Sequence, residues 1–302
     1  MLKKKTKLTK WTPTDMVTML LMILPFLSVF ILFMVVPVAS SVVLGFFKYD
    51  MINLPKFAGL ENYYRMFVED KVFLIALKNT LLFAVITGPV GFMLSFVLAW
   101  FINELSPMAR TLLSFLFYSP ALMGNVYFIW QVLFSGDSYG YVNSMLLSMN
   151  VISEPIQWFT SSEYAMKLVI IVQLWMSMGV SFLANISGLQ NVNDEMYEAG
   201  AIDGIRNRWQ ELWYITLPSM SNILLFSAVM QIQSAFSVSA IATTLTGFPS
   251  VNYSTHTIVT HLSDISSTRF EMGYASAISV LLFALMAITR VVIGKLISST
   301  GR

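Results

Sequence analysis

The sequence has no cysteine and little charge. Asp, Glu, Lys and Arg make up only 11% of its 302 residues, whereas soluble globular domains carry about 25%. The lack of cysteine excludes disulfide bridges, cysteine-linked haem and thiolate chemistry. Because 56% of the residues are hydrophobic, a soluble fold of this size could not bury them all. The composition therefore favours a lipid bilayer as the solvent.

The motifs of nucleotide and metal chemistry are also missing. The sequence contains no G-x-x-x-x-G-K-[ST] phosphate-binding loop, so we expect neither ATP hydrolysis nor a cofactor in this chain. Its two histidines, His256 and His261, are five residues apart without an evident third ligand, so a metal site is not predicted. The net charge of +2 gives no indication of nucleic-acid binding.

Long segments without charge are what the sequence has in abundance. A membrane-spanning helix needs about 20 apolar residues, and the longest segment, 212–263, turns polar after Ala242, so it holds one span. The pattern predicts six transmembrane helices, near residues 16–47, 79–102, 111–134, 168–189, 219–242 and 272–289. We expect an all-α polytopic membrane protein, in which a basic segment 1–15 precedes a single transmembrane domain, 16–302.

The distribution of Lys and Arg predicts the orientation of these spans. Five lysines precede the first span, and basic residues are enriched on the cytoplasmic side of membrane proteins. We therefore expect both termini and the segment 194–217 in the cytoplasm, with contact to anionic membrane lipid. The loops 48–73, 135–166 and 243–272 then lie outside. The first apolar segment is too long for a secretory signal, so we interpret it as a retained anchor.

The segment 194–217 is a polar insert between two apolar spans. Its acidic first half fits a helix N-terminus, and Gly204 is a candidate helix terminator. Asn207 and Gln210 match a capping box that opens a second helix. The second helix carries an apolar stripe of Trp209, Leu212, Trp213 and Leu217. The insert is predicted to be two short helices, roughly perpendicular, on the cytoplasmic surface, although an ordinary interfacial loop anchored by tryptophan also fits.

Three motifs resemble one family. Glu198-Ala199-Gly200, Gly204 and Ile215-Thr216-Leu217-Pro218 resemble the EAA signature of ATP-binding-cassette (ABC) importer permeases, closest to the carbohydrate-uptake, maltose-permease-like group. Phe57-Ala58-Gly59-Leu60-Glu61-Asn62-Tyr63, Asp70 and Asn79-Thr80-Leu81 resemble a second stretch of that group, and Gly247-Phe248-Pro249 a third. Two departures occur: Gly200 replaces an alanine, and ten residues instead of nine separate Gly204 from Ile215. We expect the extra residue in the turn between the insert helices.

The resemblance implies a type I ABC importer permease fold with cytoplasmic coupling helices, similar to the first permease subunit of heteromeric importers. It implies a second permease, a cytoplasmic ATPase dimer that holds ATP and Mg²⁺, an extracellular solute-binding protein and a bacterial cell membrane. The residues that it assigns to coupling with the ATPase are Glu198, Ala199, Gly200, Asp203, Gly204, Trp209, Leu217 and Pro218. In this assignment Trp209 and Trp213 anchor the second helix at the membrane interface.

Polar and aromatic side chains inside the spans are candidates for a solute path. Such groups in a membrane mark pathways, although they also join helices to one another. The candidates are Asn125, Trp130, Trp175, Ser177, Gln231, Gln233, Ser234 and Ser237. Gln231 and Gln233 point about 200° apart on a helix, and the sequence does not choose between them. Amides and hydroxyls beside aromatic faces, without ionised groups, suit a neutral sugar.

Three other functions fit parts of the sequence. An importer permease for a non-sugar solute would share every motif above. A secondary transporter driven by an ion gradient would need an ionisable residue inside a span and broken helices repeated in two halves, and neither is evident. A membrane scaffold or sensor would not need polar residues in its spans. The sequence favours the permease of a sugar or oligosaccharide importer.

Overall fold

The structure, a computed structural model, describes the backbone of residues 13–300 and the side chains of residues 16–296. The side chains of the predicted basic segment 1–15 lie outside the described residues. Over the described part, five helical segments are long and apolar enough to cross a membrane. They cover Met16–Leu44, Lys71–Asn103, Ala165–Gln190, Ser221–Thr246 and Met272–Leu296.

These segments consist of the following helices. The first contains α1 (Pro13–Phe30) and α2 (Val36–Leu44), joined by a π-helical turn, Ile31–Val35. Beyond the outer segment that contains α3 (Glu61–Tyr64), α4 (Lys71–Asn103) is one unbroken helix despite Pro89 within it. Later elements include α5 (Pro107–Leu122), α6 (Phe128–Leu133), α7 (Tyr141–Ser148), α8 (Ala165–Met176) and α9 (Val180–Gln190).

The insert and the last two spans follow. The insert contains α10 (Asp194–Ile202), α11 (Arg208–Glu211), a π-helical turn (Leu212–Thr216) and α12 (Leu217–Ser219). The fifth predicted span is α13 (Ser221–Phe236) with α14 (Ala240–Thr246). An outer helix, α15 (Ile258–Ser263), precedes α16 (Met272–Thr300). Two short strands, β1 (Phe47–Lys48) and β2 (Lys56–Phe57), pair antiparallel in the first outer loop and are the one departure from an all-α fold among the described residues.

The predicted third span, 111–134, is not one continuous helix. It consists of α5 and α6, separated by residues 123–127, and this broken pair is compatible with a sixth crossing. Pro120 has no N–H with which to bond the carbonyl of Leu116. The Ser119 hydroxyl donates to that carbonyl instead, at 2.8 Å. Met123 then adopts an extended conformation (φ −93°, ψ 98°), which ends the helix.

The second span begins eight residues earlier than the charge-free segment indicates. The side chain of Asp70 accepts a hydrogen bond from the Phe73 N–H at 2.9 Å and caps the N-terminus of α4. Lys71 and Lys78 are inside this helix near its outer end, where a lysine stem extends along the helix toward water. A charge-free criterion therefore places the start of this helix too late.

The helix α4 is at the centre of the bundle. It packs against α8, α9 and α13, and α13 packs in turn against α9 and α16. One apolar cluster in the half of the bundle next to the insert includes Phe96, Ala99, Phe182 and Leu224. The first span is different, because none of its 18-residue apolar window is buried inside the chain. Its apolar side chains therefore face lipid or another polypeptide.

Candidate functional site

The first insert helix, α10, is defined by caps at both ends. The Asn193 side chain accepts from the Glu195 N–H at 3.1 Å. At the other end Gly204 has φ +96°, and the N–H groups of Ile205 and Gly204 donate to the carbonyls of Gly200 (2.9 Å) and Ala201 (3.3 Å). This pair of bonds is the Schellman motif, which places glycine just beyond the helix. The prediction that Gly204 ends this helix is confirmed.

The second insert helix begins at the predicted cap. The Asn207 side chain accepts from the Gln210 N–H at 2.8 Å, as the capping-box pattern predicts. The reciprocal bond differs from the prediction, because Gln210 Oε1 accepts from the N–H of Arg206 at 2.9 Å instead of that of Asn207. The chain is thus fixed by side-chain bonds on both sides of the turn between α10 and α11.

The second insert helix contains a π-helical turn, which is a second place where the extra residue of the insert fits. At Leu212–Thr216 the N–H of Leu217 bonds the carbonyl of Leu212, five residues back instead of four. A π-turn holds one more residue per hydrogen-bonded ring than an α-turn. The prediction that the extra residue lies in the turn between the helices stays a prediction.

Gly200 lies between the two insert helices instead of on their outer surface. Gly200 is buried, and a Cβ at this position would lie 2.6 Å from Ile215 Cδ1 and 3.1 Å from Ile205 Cδ1. The Tyr197 hydroxyl is 2.9 Å from Thr216 Oγ1 across the same contact. The docking role that the resemblance gives to Gly200 does not fit this inward position. Its small size instead lets α10 approach the second helix closely.

The other predicted coupling residues are exposed or lead into the membrane. Glu198, Ala199, Asp203 and Gly204 are all exposed on the surface of the insert. Sequence analysis missed Ile202, which is 87% exposed at the end of α10. An apolar residue between acidic ones on a short polar helix is the signal that could have indicated it. The exposed face of α10 thus offers an isolated apolar side chain among carboxylates.

The membrane side of the insert is apolar. Trp209 and Trp213 are largely exposed, and the ring of Trp209 lies 5.3 Å from that of Trp100 at the inner end of α4. With Leu217 and Pro218 they border a cleft of about 310 Å³ between α4 and the start of α13. Indole rings at this level suit the membrane interface, which agrees with the anchoring role that the resemblance implies.

Three spans lose their helical structure near the middle of the membrane. The breaks are at residues 123–127, between α5 and α6, at 177–179, between α8 and α9, and at 237–239, between α13 and α14. The outer halves pack together, since α14 contacts both α6 and α8, and the inner half α9 contacts both α5 and α13. Non-helical backbone at membrane depth occurs where it is enclosed by protein or lines an aqueous cavity. We name residues 123–127, 177–179 and 237–239 the break region.

Several predicted solute-path residues lie at or beside the break region. Asn125, Ser177 and Ser237 are in the breaks themselves, and Asn125 and Ser237 are exposed. The rings of Trp130 and Trp175 meet at 5.7 Å and 64°. Indole N–H groups donate hydrogen bonds, and the buried Nε1 of Trp130 has no partner among the described residues.

The structure separates the two glutamines that the sequence could not distinguish. Gln233 is exposed, whereas Gln231 is only 2% exposed. Gln231 Oε1 accepts from the Ser181 hydroxyl at 3.1 Å, and its Nε2 lies 3.5 Å from the carbonyl of Thr87. Gln231 therefore joins spans two, four and five and is closed to solute in this conformation.

Two further predicted path residues make hydrogen bonds within the bundle. The buried Ser177 donates to the Leu174 carbonyl at 2.6 Å. Ser234 is partly exposed and accepts from Gln173 Nε2 at 2.9 Å. Ser177 is thus also closed in this conformation, while Ser234 remains on the edge of the accessible surface.

A polar node at the outer face involves both histidines. His261 Nε2 lies 3.0 Å from Asp70 Oδ2, the Tyr274 hydroxyl donates to the same oxygen at 2.8 Å, and His256 Nε2 lies 3.3 Å from His261 Nδ1. Arg65 pairs with Glu271 and covers the ring of Tyr274 at 4.2 Å. We call these six residues the outer node. It joins the start of α4 to α15 and the start of α16.

Burial and hydrogen bonding shift the pKa values of this node. Burial acts to raise the pKa of Asp70, but hydrogen bonds from His261, the Phe73 N–H and Tyr274 outweigh it and hold this pKa well below its usual range. Burial and the neighbouring His261 lower the pKa of His256 to about 4. Among the described residues no group of three or more His, Cys, Asp or Glu could hold a metal ion, and the histidines here serve a hydrogen-bonded network.

Comparison with known proteins identifies the family. Residues 91–300 match the family of binding-protein-dependent transport system inner membrane components. The chain belongs to this family. It is therefore the membrane component of an ABC importer, and ATP hydrolysis in such a system belongs to a separate subunit.

Curated relatives of this permease cover most of its length. It is 28% identical over 90% of its chain to the probable ABC transporter permease YesP of Bacillus subtilis, covering 87% of that protein. It is 30% identical to the lactose transport system permease LacF of Rhizobium radiobacter, over 69% of each chain. It is 28% identical to the arabinooligosaccharides transport system permease AraP of Bacillus subtilis, over 91% of this chain and 87% of the relative.

Solved structures confirm the fold of the permease. A chain in the crystal structure of a bacterial ABC transporter involved in import of the acidic polysaccharide alginate superposes with a TM-score of 0.78 at 20% identity. The match covers 96% of this permease and 98% of that chain. The type I importer permease fold predicted from the sequence is thereby confirmed, and the break region and the insert are parts of that fold in this chain.

Proposed function

We propose that this permease imports a sugar or oligosaccharide, together with a second permease that completes the translocation path. The observation that carries the sugar assignment is the uncharged surface at the break region, which combines amide and hydroxyl groups with aromatic rings. The exposed amides of Asn125 and Gln233 and the hydroxyl of Ser237 lie in spans whose outer halves bring Trp130 and Trp175 together. Hydroxyl-rich solutes bind by hydrogen bonds at their edges and by stacking on aromatic faces. Relatives named for lactose and arabinooligosaccharides support this assignment.

The proposed source of movement is a cytoplasmic ATPase dimer, which holds ATP and Mg²⁺ and docks on the insert. The exposed Glu198, Ala199, Asp203 and Gly204 form the contact surface together with Ile202. Caps at both ends of α10 and the close contact at Gly200 make the insert a compact unit. A compact unit can pass a displacement into α13, which follows it directly in the chain.

The proposed orientation places both termini and the insert in the cytoplasm of a bacterial cell. The lysines of the N-terminal segment then lie beside anionic lipid. The outer segments 48–73, 135–166 and 243–272 face a solute-binding protein outside. A chain in a solved alginate transporter complex, with a pentasaccharide-bound periplasmic protein, matches this permease with a TM-score of 0.75 at 21% identity, which supports a binding-protein partner.

Reconstitution tests the proposed function. The permease, its second permease and its ATPase are placed in liposomes with the binding protein, and uptake is measured over a panel of radiolabelled mono- and oligosaccharides. We expect uptake of at least one sugar that requires both ATP and the binding protein. Uptake driven by an ion gradient without ATP would contradict the importer assignment. ATP-driven uptake of only non-sugar solutes would contradict the sugar assignment.

A further inference from the structure

We propose that Arg208, Trp209 and Leu212 of the insert grip the inner end of α4, so that the insert moves span two as well as span five. The inference rests on the proposed function, because it requires an ATPase that displaces the insert. The insert is connected to α9 and α13 by chain continuity and by the apolar cluster that Leu212 shares with Leu189 and Leu224. The contacts with α4 add a connection that the sequence does not indicate, and they occur over adjacent turns at the end of that helix. We call three contacts together the grip. They are the ion pair Arg208–Glu104, the ring contact Trp209–Trp100 and the packing of Leu212 in its apolar cluster.

The polar part of the grip is an ion pair across two elements. Arg208 Nη2 lies 2.7 Å from Glu104 Oε2, at the residue that ends α4. Arg208 Nη1 lies 2.9 Å from Glu211 Oε2 on its own helix. Arg208 therefore contacts two carboxylates at once, as the planar fork of arginine allows, and the bond to Glu104 uses a different nitrogen from the bond to Glu211. The pair sets the rotational register between α11 and the end of α4.

The apolar part of the grip lies one turn further into the membrane. The ring of Trp209 meets that of Trp100 at 5.3 Å, and Trp100 stacks on Phe101 at 5.4 Å. Leu212 is only 6% exposed and belongs to the apolar cluster that contains Ala99 and Ile102 of α4. Polar and apolar contacts therefore hold the second insert helix against the end of α4. Because the Trp209–Trp100 contact lies beside the ion pair, the pair is less free to separate than an isolated one.

The position of α4 gives the grip a mechanical consequence. Three spans that pack on it, α5–α6, α8–α9 and α13–α14, are interrupted in the break region, whereas α4 is one helix from Lys71 to Asn103. Its outer end is capped by Asp70, which the outer node bonds to α15 and α16. A displacement of the insert would thus reach the outer face along an unbroken helix. Arg208 and Glu104 are positioning residues in this account, since neither contacts solute.

A charge-swap series tests the grip in the complete reconstituted transporter. Glu211→Gln serves as the background and control, because it removes the competing carboxylate and keeps the Arg208–Glu104 pair. In that background Glu104→Arg alone or Arg208→Glu alone places like charges together, and we expect sugar moved per ATP hydrolysed to fall at least fivefold. The double reversal restores opposite charges and should return the ratio to within twofold of the background.

Co-purification of the ATPase with each variant separates loss of transmission from loss of assembly. We expect equal amounts of bound ATPase in all four proteins, because the exposed face of α10 is unchanged. The proposal would be overturned if the single charge reversals left sugar moved per ATP hydrolysed within twofold of the background. It would also be overturned if the double reversal moved no more sugar per ATP than the single reversals. If the unsubstituted complex shows no ATP-driven uptake, the proposed function fails instead.

A cross-link tests whether α11 and the end of α4 move as one body. The chain has no cysteine, so Glu104→Cys with Arg208→Cys provides its only two thiols. Removing the pair should lower sugar moved per ATP, and joining the thiols with a short bis-maleimide should restore it. Each single-cysteine variant, treated alike, is the control. A cross-link that stops uptake would overturn the proposal, because it would show that the two residues must separate during the cycle.

Discussion

At the scale of the residue, Gly200 shows how one absent methyl group shapes the insert. The family signature has alanine here, but a Cβ would lie 2.6 Å from Ile215 Cδ1. The ends of the two isoleucines, Ile205 and Ile215, can rotate away from one methyl group, and alanine gains about 1 kcal/mol of helix propensity over glycine, so we predict little change in stability for Gly200→Ala. The bulkier Gly200→Leu should destabilise the permease by about 2 kcal/mol through overpacking, and adding Ile215→Val should recover part of the loss in the thermal unfolding midpoint in detergent. Equal midpoints for Gly200→Leu and the unsubstituted protein would contradict this packing.

His256 gives a second residue-scale prediction, which concerns pH. Its pKa is lowered from 6.5 to about 4 by burial and by His261, against weaker opposing effects of Asp264 and Asp70. A depressed histidine pKa means that the folded state favours the neutral ring. The neutral ring therefore contributes up to about 3 kcal/mol to the free energy of unfolding. This contribution is complete above pH 6.5 and is lost as the pH falls toward 4. We expect the unfolding midpoint to fall over that range.

The substitution His256→Gln is the control for this effect. It removes the titrating ring and should flatten the dependence between pH 6.5 and 4. Asp70 does not produce the same slope, because its pKa is lowered below 3.8 and its contribution is lost only in more acidic solution. An unfolding midpoint that falls equally in the variant would show that another group is responsible.

At the scale of the element, broken helices separate path residues from packing residues. We predict that Gln233→Leu, at an exposed site near the break region, lowers sugar uptake at least tenfold without changing the unfolding midpoint. Gln231→Leu is the matched variant on the same helix and removes the buried amide that contacts Ser181 and Thr87. We expect it to lower stability by about 1 kcal/mol. The reverse pattern would mean that α13 presents its other face to solute.

The elements also show what sequence patterns can and cannot establish. The length of the segments without charged residues predicted the spans, and capping residues predicted both ends of the turn in the insert. Both features depend on the local sequence alone. The breaks at 177–179 and 237–239 were not predicted, since Ser-Met-Gly and Ser-Val-Ser occur within helices as well as between them and carry no proline. The same holds for Gln231, which only contacts from α4 and α9 distinguish from Gln233.

The outer node was missed for a related reason. His256 and His261 are five residues apart, but Asp70 is almost two hundred residues away in the chain, and the fold alone brings it to His261. The sequence motif that contains Asp70 indicated a family and gave no role for the carboxylate. Long-range polar contacts of this kind have no periodic signal.

At the scale of the whole molecule, α4 runs from the insert on one face, past the break region, to the outer node on the other face. The first span, unburied within the chain, leaves a long apolar surface for lipid or the second permease. All of this depends on the insert being the place where the ATPase acts. Cross-linking measures that contact directly.

A single cysteine at Ala199, exposed on α10, is the probe for that measurement. In membranes that hold the complete transporter, a photoactivated thiol reagent at this position should capture the ATPase subunit, and the captured fraction should change when ATP is added. Thr160, exposed on an outer segment, is the control site and should capture no ATPase. Failure of the Ala199 probe to capture the ATPase in a complex that takes up sugar with ATP would contradict the central claim.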